Sequence, residues 1–202
     1  MLETSKALPR RLTDHRFVSR YFVGNGIDIG SGNDCLGQYI EFFPLCKLIL
    51  PWDIPQGDAQ YLFGVDDETL NFVHSSHCLE HMEDPLLALT NWMRVLRPGG
   101  HAIILVPDED LYEQGVWPST KNPDHKWSFT LHKPNGESWC KKSWNVFDLI
   151  QHCGYKMPLR PIKVELLDGS YRRNVSPHFS IPQDQTLTPI GECAIEFILQ
   201  KV

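Results

Sequence analysis

Short apolar runs bounded by glycine, proline and aspartate recur along this chain, and each run predicts an element. Gly26-Ile27-Asp28-Ile29 reads as a strand stopped by the turn Gly30-Ser31-Gly32-Asn33-Asp34. Cys46 to Leu50 reads as a second strand, ended by Pro51-Trp52-Asp53, and Leu70 to Ser75 as a third. A helix follows, with Asp84 as cap, Pro85 at its first position and Leu86, Leu89, Met93 and Leu96 at helical spacing, until Pro98-Gly99-Gly100 ends it. Ala102 to Val106 is apolar without a break, the pattern of a strand covered on both faces of a parallel sheet. Ser143 to Cys153, stopped at Gly154, predicts another helix, and residues 161–167 and 193–200 predict two last strands. Thr13 to Tyr21 predicts a short helical arm capped by Thr13 or Asp14. Strands alternating with helices predict an α/β, doubly wound sheet. The expected organisation is one domain over 1–202, with an N-terminal arm at 1–23 and halves at 24–107 and 108–202.

Composition adds few restrictions. With 202 residues, 42% hydrophobic and 22% charged, the chain is long enough to bury a core without staples. Its six cysteines, at 35, 46, 78, 140, 153 and 193, contain no Cys-x-x-Cys pair and suit reduced thiols in a cytoplasm. Seven charged side chains in the first twenty residues leave no apolar signal core, and no uncharged apolar run approaches the roughly 18 residues of a membrane span. Charge is uneven: 1–23 carries +3, 24–120 carries −12, 121–173 carries +5 and 174–202 carries −2, within a net −6. A basic segment on an acidic body suits an anionic ligand, with a scattered solvated surface as the plain alternative. An acidic chain gives no support to nucleic-acid binding.

The glycine turn after the first strand is the natural place for a ligand in such a sheet. A dinucleotide fingerprint would place a glycine where Cys35 stands, and no Gly-Lys-Ser/Thr of a phosphate loop follows. Asp28, just before Gly30, disfavours a pyrophosphate and suits a cationic ligand with an amino-acid tail. Asp28-Ile29-Gly30-Ser31-Gly32 resembles the first motif of class I S-adenosylmethionine-dependent methyltransferases, of the type 11-like kind, and four more stretches stand behind it in family order. These are Asp53 at the end of the second strand, Gly57-Asp58-Ala59, Ser75 to His81, and Arg94 to Gly100. The resemblance implies a Rossmann-like methyltransferase sheet, mostly parallel with an antiparallel C-terminal strand. It implies S-adenosylmethionine as cofactor and S-adenosylhomocysteine as product. Carried over residue by residue, it implies a cofactor site of Asp28, Gly30, Ser31, Gly32, Asp53 on the ribose, Asp58 and Ala59 on the adenine, and Ser75 and His77 near the methionine part. Two departures stand out: Asp34 occupies the place of the family's third glycine, and only four residues separate Asp53 from Asp58, so the sheet is shortened there. The wall of the adenine pocket must come from elsewhere, the arm or the aromatic loop after Pro107 being the two sources.

That loop, with Tyr112, Trp117, Trp127, Phe129, Trp139 and Trp144, is too long for a mere connection and is where the acceptor is expected. Methyl transfer needs alignment above all, and a hydroxyl acceptor also needs a base. Among nine histidines His125 is the candidate, with Asp124 or Asp108 to orient it; a surface histidine in a turn is the plainer alternative. Asp108-Glu109-Asp110 either holds acceptor hydroxyls or makes a solvated turn. His77, Cys78 and His81 imitate a metal site, but Leu-Glu-His is common in the family without metal, and none is expected. Pro107 to Phe129 and Asp184 to Leu187 resemble a bacterial subgroup associated with glycan biosynthesis. The expected activity is methyl transfer to a hydroxyl of a saccharide or of a nucleotide- or lipid-linked glycan. Another small-molecule or nucleic-acid acceptor, and a non-catalytic cofactor-binding module, remain as alternatives.

Overall fold

Isoleucine-rich and valine-rich runs build the centre of the molecule. The computed structural model describes residues 2–172 and 184–202. Strands β1 (Gly24–Ile29), β2 (Cys46–Trp52), β3 (Leu70–Ser76), β4 (Leu96–Pro107), β7 (Leu159–Leu167) and β8 (Ala194–Lys201) form one sheet in the order β2-β1-β3-β4-β8-β7. Neighbours among β1 to β4 are parallel, while β8 runs antiparallel to β4 and β7. This is the expected doubly wound sheet with its antiparallel C-terminal strand. Strand β4 starts before the apolar run: Leu96 pairs with Leu70 and His101 with Phe72, so the Pro98-Gly99-Gly100 turn bulges from the ladder.

Alternation along the strands gives each face a core. Ile27, Ile29, Val73, Ile104 and Phe197 pack under the helices α2 (Pro85–Arg94) and α3 (Val146–Gly154) through Leu89, Trp92, Leu149 and Ile150. The capping of α2 follows the sequence: Asp84 accepts from the N–H groups of Leu86 and Leu87 at 2.9 and 3.0 Å. Helix α3 starts later than its sequence pattern predicts. Ser143–Asn145 instead forms β6, paired in parallel with β5 (Ser128–Thr130), and Asn145 caps α3.

The opposite face is covered by Leu8, Phe17, Tyr21, Phe22, Leu36 and Phe43. Here the arm departs from expectation. Helix α1 spans Glu3–Thr13, and a separate turn of π-helix follows at Phe17–Tyr21. The buried side of α1 is Glu3, Thr4, Ala7, Leu8 and Arg11, too polar to show a helical apolar period. Ion pairs hold it instead. Arg10 and the fully buried Arg11 both reach Glu196 of β8, at 2.8 and 3.2 Å, and Lys163 joins at 3.0 Å. Arg11 also donates to Nε2 of His74, whose Nδ1–H donates to Asp28.

Between Asp53 and Leu70 the structure holds a 3-10 turn at Ile54–Gln56 and further turns, with no strand or long helix. The shortening expected there leaves β2 as a bare edge, with Leu48 and Leu50 nearly half exposed. Among the described residues no helix is long and apolar enough to cross a membrane.

Candidate active site

Two adjoining cavities open beyond the carboxyl ends of β1, β2 and β3. The larger, about 890 Å³, runs from Asp58, Ala59 and Met82 past Asp53 to Gly30 and His77. The smaller, about 200 Å³, is lined by Gly30 to Asp34 on one side and by Glu3, Glu80, Tyr112, Asn122 and His125 on the other. Gly30, His77, His81 and His125 border both.

The larger cavity has the volume of a small-molecule cleft. Gly30 has φ +73°, and a Cβ there would lie 2.5 Å from that of Cys78, so the turn admits only glycine. Gly32 donates its N–H to Asp53 Oδ2 at 2.8 Å, tying the turn to the end of β2. Asp53 also caps the following turn through Ile54 and Gln56. Asp58 and the half-buried Ala59 border the far end, and the Ala59 carbonyl is fixed by the indole N–H of Trp92 at 2.8 Å. Pro123 to Lys126 supply another wall of the cavity. The loop after Pro107 therefore lines this cleft, and the arm does not; its Glu3 and Thr4 face the smaller cavity instead. The cleft fits a nucleoside with a cationic, amino-acid tail: carboxylates border it and no cluster of bases awaits a pyrophosphate.

Two expected cofactor residues are placed otherwise. Asp28 is 1% exposed and borders neither cavity; its oxygens accept from Leu36 N–H at 2.6 Å and from His74 Nδ1 at 2.5 Å. A carboxylate at that depth needs internal donors, and it finds two. Ser75 lies inside β3, fully buried, and its neighbour Ser76 is the one that borders the smaller cavity. Ser31 and His77 do border it. His77 holds φ +52°, a backbone conformation that is costly for a residue with a side chain and is concentrated at functional sites.

Asp34, in the place of a glycine, turns away from the cleft. Its Oδ2 accepts from Ser5 N–H in the first turn of α1 at 2.9 Å, and its Oδ1 accepts from the Tyr39 hydroxyl at 2.6 Å. Helix α1 has no side-chain cap of its own, and Asp34 acts as one from across the fold.

His125 is buried, and its orienting partner is neither Asp124 nor Asp108. Nδ1–H donates to Glu113 Oε1 at 2.7 Å. Asp124 is exposed and contributes its backbone carbonyl, which accepts from His81 Nδ1–H at 3.1 Å. Asp108 caps the turn after β4 through the N–H groups of Asp110 and Leu111, beside a separate cavity. Glu109 and Asp110 pin the loop by gripping Lys133, with Ser138 on Glu109 and Trp139 on Asp110. None of these acids borders the smaller cavity, and Asp108 and Glu109 are buried rather than solvated.

The sequence reading missed Glu80 and Glu113. Glu80 is fully buried, and burial pushes its carboxyl up to about 7. Burial acts to depress His125, but the bond to Glu113 and the charge of Glu80 outweigh it and raise the imidazole. His77 and His81 are lowered, first by burial and then by the charge of His125. The one sequence signal for Glu113 is its position a turn beyond the Asp108 cap.

Residues 43–104 match the methyltransferase domain family. No curated protein sequence matches the chain. Solved structures do so along nearly its whole length. An S-adenosylmethionine-dependent methyltransferase from Archaeoglobus fulgidus aligns at 15% identity and TM-score 0.61, over 98% of this chain and 94% of that one. A chain from the complex between the Haloferax volcanii Trm112 methyltransferase activator and the putative methyltransferase aligns at 12% and 0.61, over 96% and 88%. An S-adenosylmethionine-dependent methyltransferase from Mesorhizobium loti aligns at 13% and 0.59, over 100% of both. The chain has the fold of these S-adenosylmethionine-dependent methyltransferases and carries a methyltransferase domain signature within it.

Proposed function

We propose that the protein transfers a methyl group from S-adenosylmethionine to a hydroxyl of a saccharide, free or carried on a nucleotide or lipid. The observation that carries this reading is the small, polar cavity of Glu3, Asn33, Glu80, Tyr112, Asn122 and His125, opening beside the cleft that suits the cofactor. Such a lining offers hydrogen bonds to a hydroxyl-rich ligand. When bound, S-adenosylmethionine supplies an electrophilic methyl on a sulfonium.

The contacts we assign to it are Gly30, Ser31, Gly32, Asp53, Asp58, Ala59 and His77. Asp53, already holding Gly32, offers its remaining lone pairs to ribose hydroxyls. The glycine turn brings backbone close to the amino-acid end. The acceptor oxygen is held in the smaller cavity and loses its proton at the cluster of Glu80, His81 and His125. Enclosure by Tyr112 and Glu3 restricts the acceptor's orientations, and alignment supplies much of the rate.

Calorimetry with S-adenosylhomocysteine, followed by a panel of saccharides and glycosyl nucleotides scored for a one-methylene mass gain, tests the reading. Binding with methylation of a hydroxylated acceptor is the expected result. No binding sinks the reading; binding with no methylated acceptor in a broad panel favours a non-catalytic module.

A further inference from the structure

Two carboxylates, Glu3 and Glu80, line the smaller cavity at 4% exposure or less, and a third, the fully buried Glu113, holds His125. Glu3 has Lys6 at 2.9 Å and Glu113 has His125, but both oxygens of Glu80 are buried with no hydrogen-bond donor. A buried carboxylate without a partner is among the costliest arrangements a protein can hold.

Three imidazole nitrogens surround Glu80 Oε1: His77 Nδ1 at 3.6 Å, His125 Nε2 at 3.8 Å and His81 Nε2 at 3.9 Å. These separations are too long for hydrogen bonds. They approach the spacing of ligands around a shared cation, since two atoms bound at about 2.1 Å with a tetrahedral angle stand about 3.4 Å apart. One donor atom each from Glu80, His81 and His125 falls within 4.8 Å of the others, so the imidazoles need only swing inward.

The tautomers point the same way. His125 Nδ1–H donates to a carboxylate and His81 Nδ1–H to a backbone carbonyl, which leaves both Nε2 lone pairs directed at the cluster. A metal-binding histidine is held by its other nitrogen in this way.

We propose that Glu80, His81 and His125 bind a divalent transition-metal cation, with Zn²⁺ the simplest fit to two imidazoles and a carboxylate. The remaining positions of the cation face the smaller cavity. Glu113 is a positioning residue, acting through His125. The segment 77–81 alone supplies no such site: Cys78 packs against Gly30, and the third ligand arrives from the loop after β4.

Cation binding stands independently, while its role rests on the methyl-transfer reading. There the acceptor hydroxyl occupies an open position and becomes more acidic. Its proton passes to water, the oxygen bonds to the methyl carbon, and the carbon–sulfur bond breaks with its electron pair kept by sulfur. His125 is then a ligand rather than a base.

The test is calorimetric titration of chelator-stripped full-length protein with Zn²⁺, with Mn²⁺ as a second probe, alongside a separate titration with S-adenosylhomocysteine. One Zn²⁺ per chain is expected. Glu80→Gln and His81→Gln should weaken it at least 100-fold and Glu113→Gln 10- to 100-fold. Zn²⁺ should raise the melting temperature of the wild type and not that of Glu80→Gln; if Glu80→Gln fails to fold, the partly exposed His81→Gln carries the comparison. A stripped wild type that takes up neither ion, or ligand variants that bind Zn²⁺ like the wild type, overturns the proposal. Zn²⁺ binding without S-adenosylhomocysteine binding upholds the cation site and strikes the methyl-transfer reading alone.

Discussion

Asp34 provides the sharpest check on how this fold uses its carboxylates. Replacing it by alanine removes two bonds at once: the one to Ser5 N–H at the start of α1, and the one to the Tyr39 hydroxyl. Losing a helix cap costs about 1 kcal/mol, and losing a hydrogen bond to a charged acceptor about 1.5–3 kcal/mol. With Asp34 only 6% exposed, solvent replaces little of this, and Asp34→Ala should destabilise the protein by about 3 kcal/mol. Asp34→Asn keeps one acceptor oxygen and should lose about half as much. Tyr39→Phe isolates the second bond, and its cost should not add to that of Asp34→Ala, because both remove the same contact.

Urea unfolding of the three variants measures these losses, and S-adenosylhomocysteine calorimetry on the same samples separates them from cofactor binding. Because the carboxylate faces the arm, cofactor affinity should change by less than about threefold, under 1 kcal/mol. Acceptor affinity should fall, since Glu3 and Thr4 of the loosened helix line the smaller cavity. A tenfold gain in cofactor affinity with unchanged stability would refute the reasoning. It would mean that Asp34 faces the cleft and repels the cofactor's own carboxylate.

Three further outcomes follow from the same geometry. Glu196→Gln leaves Arg11 buried with its charge uncompensated and should cost about 3–5 kcal/mol in urea unfolding. Burial opposes, but Arg11, Arg10 and Lys163 overcome it and hold Glu196 at about 2; this group's stabilisation is therefore full above the ordinary carboxyl value of 4.5 and fades as pH falls toward 2, a fade the variant should lack. Asp108 behaves oppositely, because burial raises it from 3.8 to about 6: the native state binds the proton more tightly, stability falls as pH rises through that window, and Asp108→Asn should recover up to about 3 kcal/mol at pH 7 and nothing near pH 3. Asp53→Ala should weaken S-adenosylhomocysteine binding by roughly 10- to 100-fold in calorimetry, since it frees the glycine turn and removes the proposed ribose acceptor.

The six strands of the main sheet were legible as apolar runs, most of them ended by glycine, proline or aspartate, and α2 because Asp84 and Pro85 announce it, whereas the three-residue β5 and β6 were not. Helix α1 was not, since its buried side includes Glu3, Thr4 and Arg11, whose partners lie far along the chain. A periodicity argument sees burial only through apolar side chains. The candidate site divides in the same way. Gly30, Gly32, Asp53, Asp58 and Ala59 follow from local motifs and border the larger cavity with the exception of Gly32, which borders the smaller one and is tied to Asp53. The partner of His125 does not: Asp124 is adjacent in sequence but exposed, whereas Glu113 lies a turn beyond a cap and meets the imidazole only once the loop is folded. Neighbours along an irregular segment diverge, and tertiary closure decides which acid meets which base.

Charge shows why the acceptor must be read from the cavity rather than from composition. Of the −12 carried by 24–120, Asp28 is turned to His74, Asp34 to α1, Glu109 to Lys133 and Ser138, and Glu113 to His125, while Glu80 lines the site. Part of the basic segment 121–173 is likewise engaged, with Lys121 on Asp184, Lys126 on Glu83, Lys133 on Glu109 and Asp110, and Lys163 on Glu196. Four of that segment's ten bases are thus paired within the fold and add little to any field reaching an incoming anion. A basic stretch of sequence is therefore weak support for an anionic acceptor here. The carboxylates gathered at the smaller cavity instead favour a neutral, hydroxyl-rich group over an anion.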